Sequence, residues 1–226
     1  MINKQQIMGF DSGHVCPVDA QHVLMPEVRE AFLAMQSDAH EQGLDLQICS
    51  SFRSFEKQLS IWNRKWLGEL PLFSLDGDLL ELDTLSDIDK IHAIMLWSAL
   101  PGASRHHWGT DFDFYDKTRV EASGHPFKLV TDEYETDGPC AALATWVHAN
   151  AARFGFYLPY ANYVGGVARE PWHLSYKKTA EHIQQHFDLS LLTTLLTESN
   201  IQGKDAVLAI LPELVERYTY NRGCAL

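Results

Sequence analysis

Two short stretches hold side chains that could do chemistry together: Ser104 to Asp113, SRHHWGTDFD, and Glu170 to His173, EPWH. Neutral imidazole plus carboxylate is a common donor set for catalytic zinc, which takes three protein ligands and keeps one position open. His106 and Asp113 are seven positions apart, with Gly109 between them to let the chain turn back, so both donors can face one ion. The third donor must come from elsewhere. His173 is the best placed, because Glu170 stands three residues before it and can serve an attacking water without being a ligand. In that role a glutamate takes a proton from water and later passes it to a leaving amine. His125 is a rival third donor, but no glutamate lies at a useful spacing from it. His106 and His107 diverge as neighbours in regular structure, so only one of the two can face the ion. The chemistry indicated is metal-assisted hydrolysis, with zinc as the ion.

The same residues carry a family resemblance. SRHHWGTDFD is similar to the S-x-H-x-x-G-x-x-x-D signature of the D-alanyl-D-alanine carboxypeptidase and dipeptidase family of zinc peptidases, and EPWH resembles that family's E-x-x-H. Upstream, SSFRSFEKQ resembles its S-G-Y-R-S-x-x-x-Q segment, so three blocks stand in the family's order between about residues 45 and 176. The resemblance implies zinc ligands His106, Asp113 and His173, a catalytic base Glu170, and Arg53 as a catalytic and substrate-binding residue. It also places Gln58 and Ser104 along the substrate cleft. Trp172, between the glutamate and the histidine, either walls that cleft, as a substrate-binding residue, or packs in the core. The implied substrate is a peptidoglycan-derived peptide ending in D-Ala-D-Ala, or the free dipeptide. An endopeptidase of the same fold and a silent peptidoglycan-binding module remain as alternatives; a carboxylate clamp at Arg53 speaks against the first and Glu170 against the second. Three positions depart from the family's pattern. Ser51 replaces a frequent glycine, Arg105 stands where an acidic residue is frequent, and Asp111 stands where a small residue usually precedes the ligand aspartate by two. On a strand, Asp111 and Asp113 share a face, which brings an extra carboxylate near the metal.

The elements that must position these residues follow from periodicity. From Pro26 to about Gly43 the apolar residues Val28, Phe32, Met35 and Ala39 recur at helical spacing. LDLQICS, residues 44 to 50, alternates as a strand and runs into the turn that carries Arg53. Ser54 caps a helix whose stripe is Phe55, Leu59, Trp62 and Trp66. Residues 67 to 83 read as a loop or short hairpin able to act as a lid, and residues 84 to 98 as a helix. DFDFYD reads as a strand with Phe112 and Phe114 on one face and Asp111 and Asp113 on the other; carboxylates facing inward need a reason such as a metal. Residues 116 to 138 read as surface loop, and Pro139 to Phe154 as a helix. Gly165 and Gly166 signal a hairpin whose returning strand carries Glu170 and His173, with Pro171 bending it. Beyond Tyr176 the pattern is helical. The expected fold is α+β: a small antiparallel sheet carrying the zinc site, flanked by helices. The expected division is a peptidase domain over residues 1–180 and a C-terminal helical extension, 181–226, packed on it.

Composition narrows the classes. At 226 residues, 46% apolar and 21% charged, the chain has the make-up of an ordinary globular protein. With 18 Lys and Arg against 30 Asp and Glu, the formal charge of -12 argues against nucleic acid or an anionic membrane surface as partner. No apolar run is long enough to span a membrane, and the N-terminal stretch lacks the apolar core of a signal peptide. The expected compartment is therefore cytoplasmic for the chain as it stands, and exported if a signal has been removed. Cys16, Cys49, Cys140 and Cys224 are scattered and form no C-x-x-C pair, so a zinc knuckle or thioredoxin-type motif is not indicated.

Overall fold

The alternation in DFDFYD decides the centre of the fold. In the computed structural model, which describes residues 2–222, a two-residue hairpin β1 (Cys16–Pro17) and β2 (Val23–Leu24) precedes one four-stranded antiparallel sheet. That sheet is built from β3 (Leu46–Ser50), β4 (Asp111–Asp116), β5 (Phe156–Tyr157) and β6 (His173–Tyr176), in the order β3-β4-β6-β5. The α+β expectation holds, and the sheet is central because β4 is apolar on one face only. Phe112 and Phe114 are wholly buried there, packed edge-on against Phe32, Phe156 and Tyr134.

Helices cover the sheet on that side. After the short α1 (Lys4–Ile7), helix α2 (Pro26–Glu41) presents the expected stripe of Val28, Phe32, Met35 and Ala39, all buried against the β4 phenylalanines. Then come α3 (Phe55–Trp66), capped by Ser54 as expected, and α4 (Asp87–Trp97), capped by Ser86. Phe112→Ala is expected to cost about 3–5 kcal/mol, since the ring it removes touches two others in a dry interior. Chemical denaturation checks this; a loss under 1 kcal/mol would mean that the site collapses freely.

Two segments differ from expectation. Residues expected as loop after β4 form helix α5 (Lys117–Ser123), which Asp116 caps by accepting from the Arg119 amide at 3.1 Å. Its exposed face carries too few apolar residues to show a period. The Gly165–Gly166 pair does not make a tight hairpin. After α6 (Ala141–Asn150), β5 and β6 are joined by a long loop over residues 158–172, and both Glu170 and the glycines lie in it. Gly166 is small for another reason: a Cβ there would come 2.2 Å from the carbonyl oxygen of Arg217. Between residues 67 and 83, a single antiparallel bridge, Phe73 to Leu79, forms a short hairpin-like excursion.

The chain after residue 176 folds into α7 (Lys177–Gln185), α8 (Leu189–Glu198), α9 (Lys204–Ala209) and α10 (Leu211–Leu214), with one π turn over Val215–Thr219. Leu192, Leu196, Val207, Leu214 and Tyr218 share a second core with Trp62, Ile91 and Ile94 of α3 and α4. The molecule thus has a sheet core and a helical core. Its last turn grips the 158–172 loop: Arg217 Nε donates to the Gly165 carbonyl at 2.7 Å, and the Asn221 side chain accepts from the Val167 amide at 3.1 Å and donates to the Pro159 carbonyl at 3.3 Å. Among the described residues no helix is long and apolar enough to cross a membrane. Cys224 lies outside the described residues, and Cys16, Cys49 and Cys140 are free thiols.

Candidate metal centre

Strand register brings the donors together. β4 and β6 pair so that Asp113 lies opposite His173 and Asp111 opposite Ser175 on the polar face, while Phe112 and Leu174 pair on the apolar one. His106 arrives from a 3-10 turn, Arg105–Trp108, that precedes β4. Between them Gly109 has φ +71°, and a Cβ there would meet Val15 Cγ1 at 2.4 Å, so the reversal needs glycine on both counts. Ligand atoms of His106, Asp113 and His173 all lie within 4.8 Å of one another, and all three side chains are buried.

The hydrogen bonds around this trio leave three lone pairs facing one point. His106 Nδ1 faces the Ser51 carbonyl at 2.8 Å, an acceptor only, so that nitrogen carries the proton and Nε2 is left as a donor to metal. His173 Nε2 faces Asp111 Oδ1 at 3.0 Å, which leaves Nδ1 free in the same way. His106 Nε2 stands 3.5 Å from Asp113 Oδ2, and His173 Nδ1 stands 3.1 Å from Asp113 Oδ1, a buried oxygen with no hydrogen-bond donor of its own. Two imidazole lone pairs and an orphaned carboxylate oxygen converging in a dry pocket fit a divalent cation.

Electrostatics agree. Burial lowers the His106 pKa to about 4, so the ring is neutral and able to ligate at neutral pH. Burial also opposes charge on His173, yet Asp111 and Asp113, one beside each ring nitrogen, outweigh it and raise its pKa to about 10. The two carboxylates thus draw positive charge to the point between His173 Nδ1 and Asp113, where a cation would take the place of a proton. Burial would likewise raise Asp111, but the Arg105 guanidinium and the His173 hydrogen bond hold its carboxyl well below the usual carboxylate range.

Glu170 stands beside the trio without joining it. The His173 amide donates to the Glu170 carbonyl at 3.2 Å, closing a turn with Pro171 in its second position, and this turn aims both side chains the same way. Glu170 Oε2 is 3.6 Å from His173 Nδ1, its side chain is 12% exposed, and burial raises its pKa to about 7. A carboxylate poised there suits a general base.

These groups open into a cleft of about 820 Å³ lined by Arg53, Ser104, His106, Asp113, Glu170, Trp172 and His173. Arg53 donates only to neutral groups, the Gln58 side-chain carbonyl at 2.7 Å and the Ser50 hydroxyl at 3.1 Å. Gln58 is wholly buried behind it and also donates to the Ala99 carbonyl at 2.7 Å, so it holds the arginine to the chain before Ser104. The buried Ser104 hydroxyl has no hydrogen-bond partner among the described residues. Trp172 packs on Trp97 in the sheet core and gives its other surface to the cleft.

Other sequence candidates lie apart. His125 is exposed, His22 pairs with Asp19, His14 faces the His107 carbonyl at 3.1 Å and His107 faces the Arg53 carbonyl. Several cleft residues escaped sequence reasoning: Lys65, Tyr160, Tyr218 and Thr219. Lys65 alone left a trace, standing seven residues after Gln58 and so on the same face of α3.

Comparison with known proteins gives the lineage. A relative from Haemophilus influenzae, described only as an uncharacterized protein, is 35% identical over 121 residues, covering 53% of this chain and 92% of its own length. Two solved structures share the fold. The LdcB LD-carboxypeptidase superposes with TM-score 0.55 at 22% identity, covering 79% of this chain and 76% of its own. A mutant of the vancomycin resistance D,D-pentapeptidase VanY in complex with Zn(II) superposes with TM-score 0.50 at 19% identity, covering 80% and 91%. The family profile for VanY, D-alanyl-D-alanine carboxypeptidase, matches residues 21–179, a span that contains all three donors, Glu170 and Arg53. The chain belongs to the VanY D-alanyl-D-alanine carboxypeptidase family.

Proposed function

We propose that this protein is a zinc carboxypeptidase that removes the last residue of a peptide with a free C-terminal carboxylate, with stem peptides of peptidoglycan ending in D-Ala-D-Ala as the substrate class. The observation that carries the proposal is Arg53: a guanidinium that faces the cleft near Glu170 and Asp113 yet hydrogen-bonds only to neutral oxygens, so no carboxylate among the described residues ties it and it can pair with an incoming anion. Lys65 reinforces it, a second cation on the same cleft with no ion-pair partner among the described residues. The VanY structure bound to Zn(II) supports zinc as the ion, and the LD-carboxypeptidase neighbour makes the configuration of the penultimate residue a question for assay.

His106, Asp113 and His173 would hold the ion. Zinc so bound supplies Lewis acidity, polarising the scissile carbonyl and lowering the pKa of water toward neutrality. Arg53 holds the terminal carboxylate and fixes which bond faces the donors. Glu170 accepts the proton of the attacking water and passes it to the departing amino group, which leaves as a free amino acid. Trp172 and Tyr160 wall the reacting bond from bulk water.

The test is incubation with D-Ala-D-Ala, a stem pentapeptide, an L,D-linked tetrapeptide and a crosslinked muropeptide, each with and without chelator, followed by product mass. Release of one D-alanine from the free-acid pentapeptide, abolished by chelator, is expected; cleavage confined to crosslinks would overturn the exopeptidase reading. In the same assay Arg53→Gln is expected to lower kcat/KM about 10- to 100-fold, mainly through KM, as loss of a charge-assisted pair predicts. An amidated peptide should show no such dependence on Arg53.

A further inference from the structure

Two of the family-pattern departures, at positions 105 and 111, are the two ends of one buried ion pair. Arg105 Nε donates to Asp111 Oδ1 at 2.8 Å, with Arg105 5% exposed and Asp111 0%. The same Oδ1 receives His173 Nε2 at 3.0 Å. The other carboxylate oxygen accepts from the Thr110 hydroxyl and from the Ser175 hydroxyl at 3.1 Å. Arg105 Nη2 donates onward to Ser175 at 2.7 Å and to the Tyr157 hydroxyl at 3.0 Å, and the guanidinium lies over the Trp108 ring.

We propose that Asp111 is the positioning carboxylate of the ligand His173, held in place by the buried Arg105 guanidinium behind it. This rests on the metal reading of His106, Asp113 and His173. Every donor around Asp111 is fixed, so the carboxylate cannot swing, and the only hydrogen it can take from His173 is the one on Nε2. That locks the ring with Nδ1 toward Asp113. Each departure alone is unfavourable. An acid at 105 beside Asp111 would bury two carboxylates against one imidazole, and Arg105 beside a small residue would leave a buried guanidinium unpaired. Together they set one carboxylate on the back of the His173 ring and a cation behind it.

The alternative, an ion pair that merely ties β4 to the turn, is separated by a variant series read through zinc affinity. Zinc dissociation constants are measured by competition with a chromophoric chelator for the full chain and for Asp111→Ala, Asp111→Asn and the apolar double Arg105→Met/Asp111→Leu; melting temperature of each metal-free protein is recorded beside them. Asp111→Ala and the apolar double are expected to bind zinc about 10- to 100-fold more weakly, the usual cost of losing a ligand's hydrogen-bond partner. Asp111→Asn keeps an oxygen able to accept from His173 Nε2 and is expected to bind zinc more tightly than Asp111→Ala. If a single variant fails to fold, the apolar double still decides, because it buries no unpaired charge. Zinc affinity equal to the parent's in the apolar double would overturn the proposal. A parent chain that binds no zinc would instead overturn the metal reading, which the same titration reports separately.

Discussion

Glu170→Gln is expected to bind one zinc ion per chain as the parent does and to hydrolyse a D-Ala-terminated peptide about a thousand-fold more slowly, within the range that general acid–base catalysis supplies. The two effects separate because Glu170 borders the donors without being one of them: its Oε2 stands 3.6 Å from His173 Nδ1, and the group whose atoms converge within 4.8 Å consists of His106, Asp113 and His173. Its backbone is held independently of its side chain, through the amide bond to the Tyr160 carbonyl at 3.0 Å and the turn closed by the His173 amide. The amide side chain keeps that shape while losing proton affinity. Metal content by mass spectrometry, measured beside peptidase rate, checks it. Full activity in this variant would end the assignment of Glu170 as base.

His173→Ala is expected to lose both properties: zinc binding at least a hundred-fold weaker than the parent, and hydrolysis reduced to the rate without enzyme. Two donors remain after the change, and catalytic zinc sites use three. The truncation also removes the ring that stands between Asp111 and Asp113, so two buried carboxylates then face one cavity with one fewer positive partner. Zinc retained through gel filtration by this variant would mean that a different residue supplies the third bond. His125, exposed and remote in structure from the trio, is not expected to do so.

The centre of this molecule was legible because its signals are local. Alternation in β4 fixed which face carries Asp113, and Gly109 marked the reversal that returns His106 to it. The helical stripes of α2 and α3 have the same local character, with caps and apolar spacing written within one element. What escaped depends on partners far along the chain. Gly165–Gly166 mimics a hairpin signal, yet Gly166 is required by the carbonyl of Arg217, a residue beyond the family-matched span. Helix α5 is held by a cap and by its place after β4, with little apolar period to announce it. Asp111 was visible as an inward carboxylate near the expected metal, but it bonds to the back of His173 and is neutralised by Arg105 across the Gly109 turn. Spacing alone does not show that pairing.

The cleft lies along the seam between the two cores. Its donors and Trp172 belong to the sheet side, whereas Met95, Leu100, Val167 and Tyr218 on its other bank belong to the helical side. In the proposed chemistry, the groups that would hold the ion and move the proton stand on the sheet side, so substitutions on the helical bank can reshape the cleft opposite them while those groups stay in place.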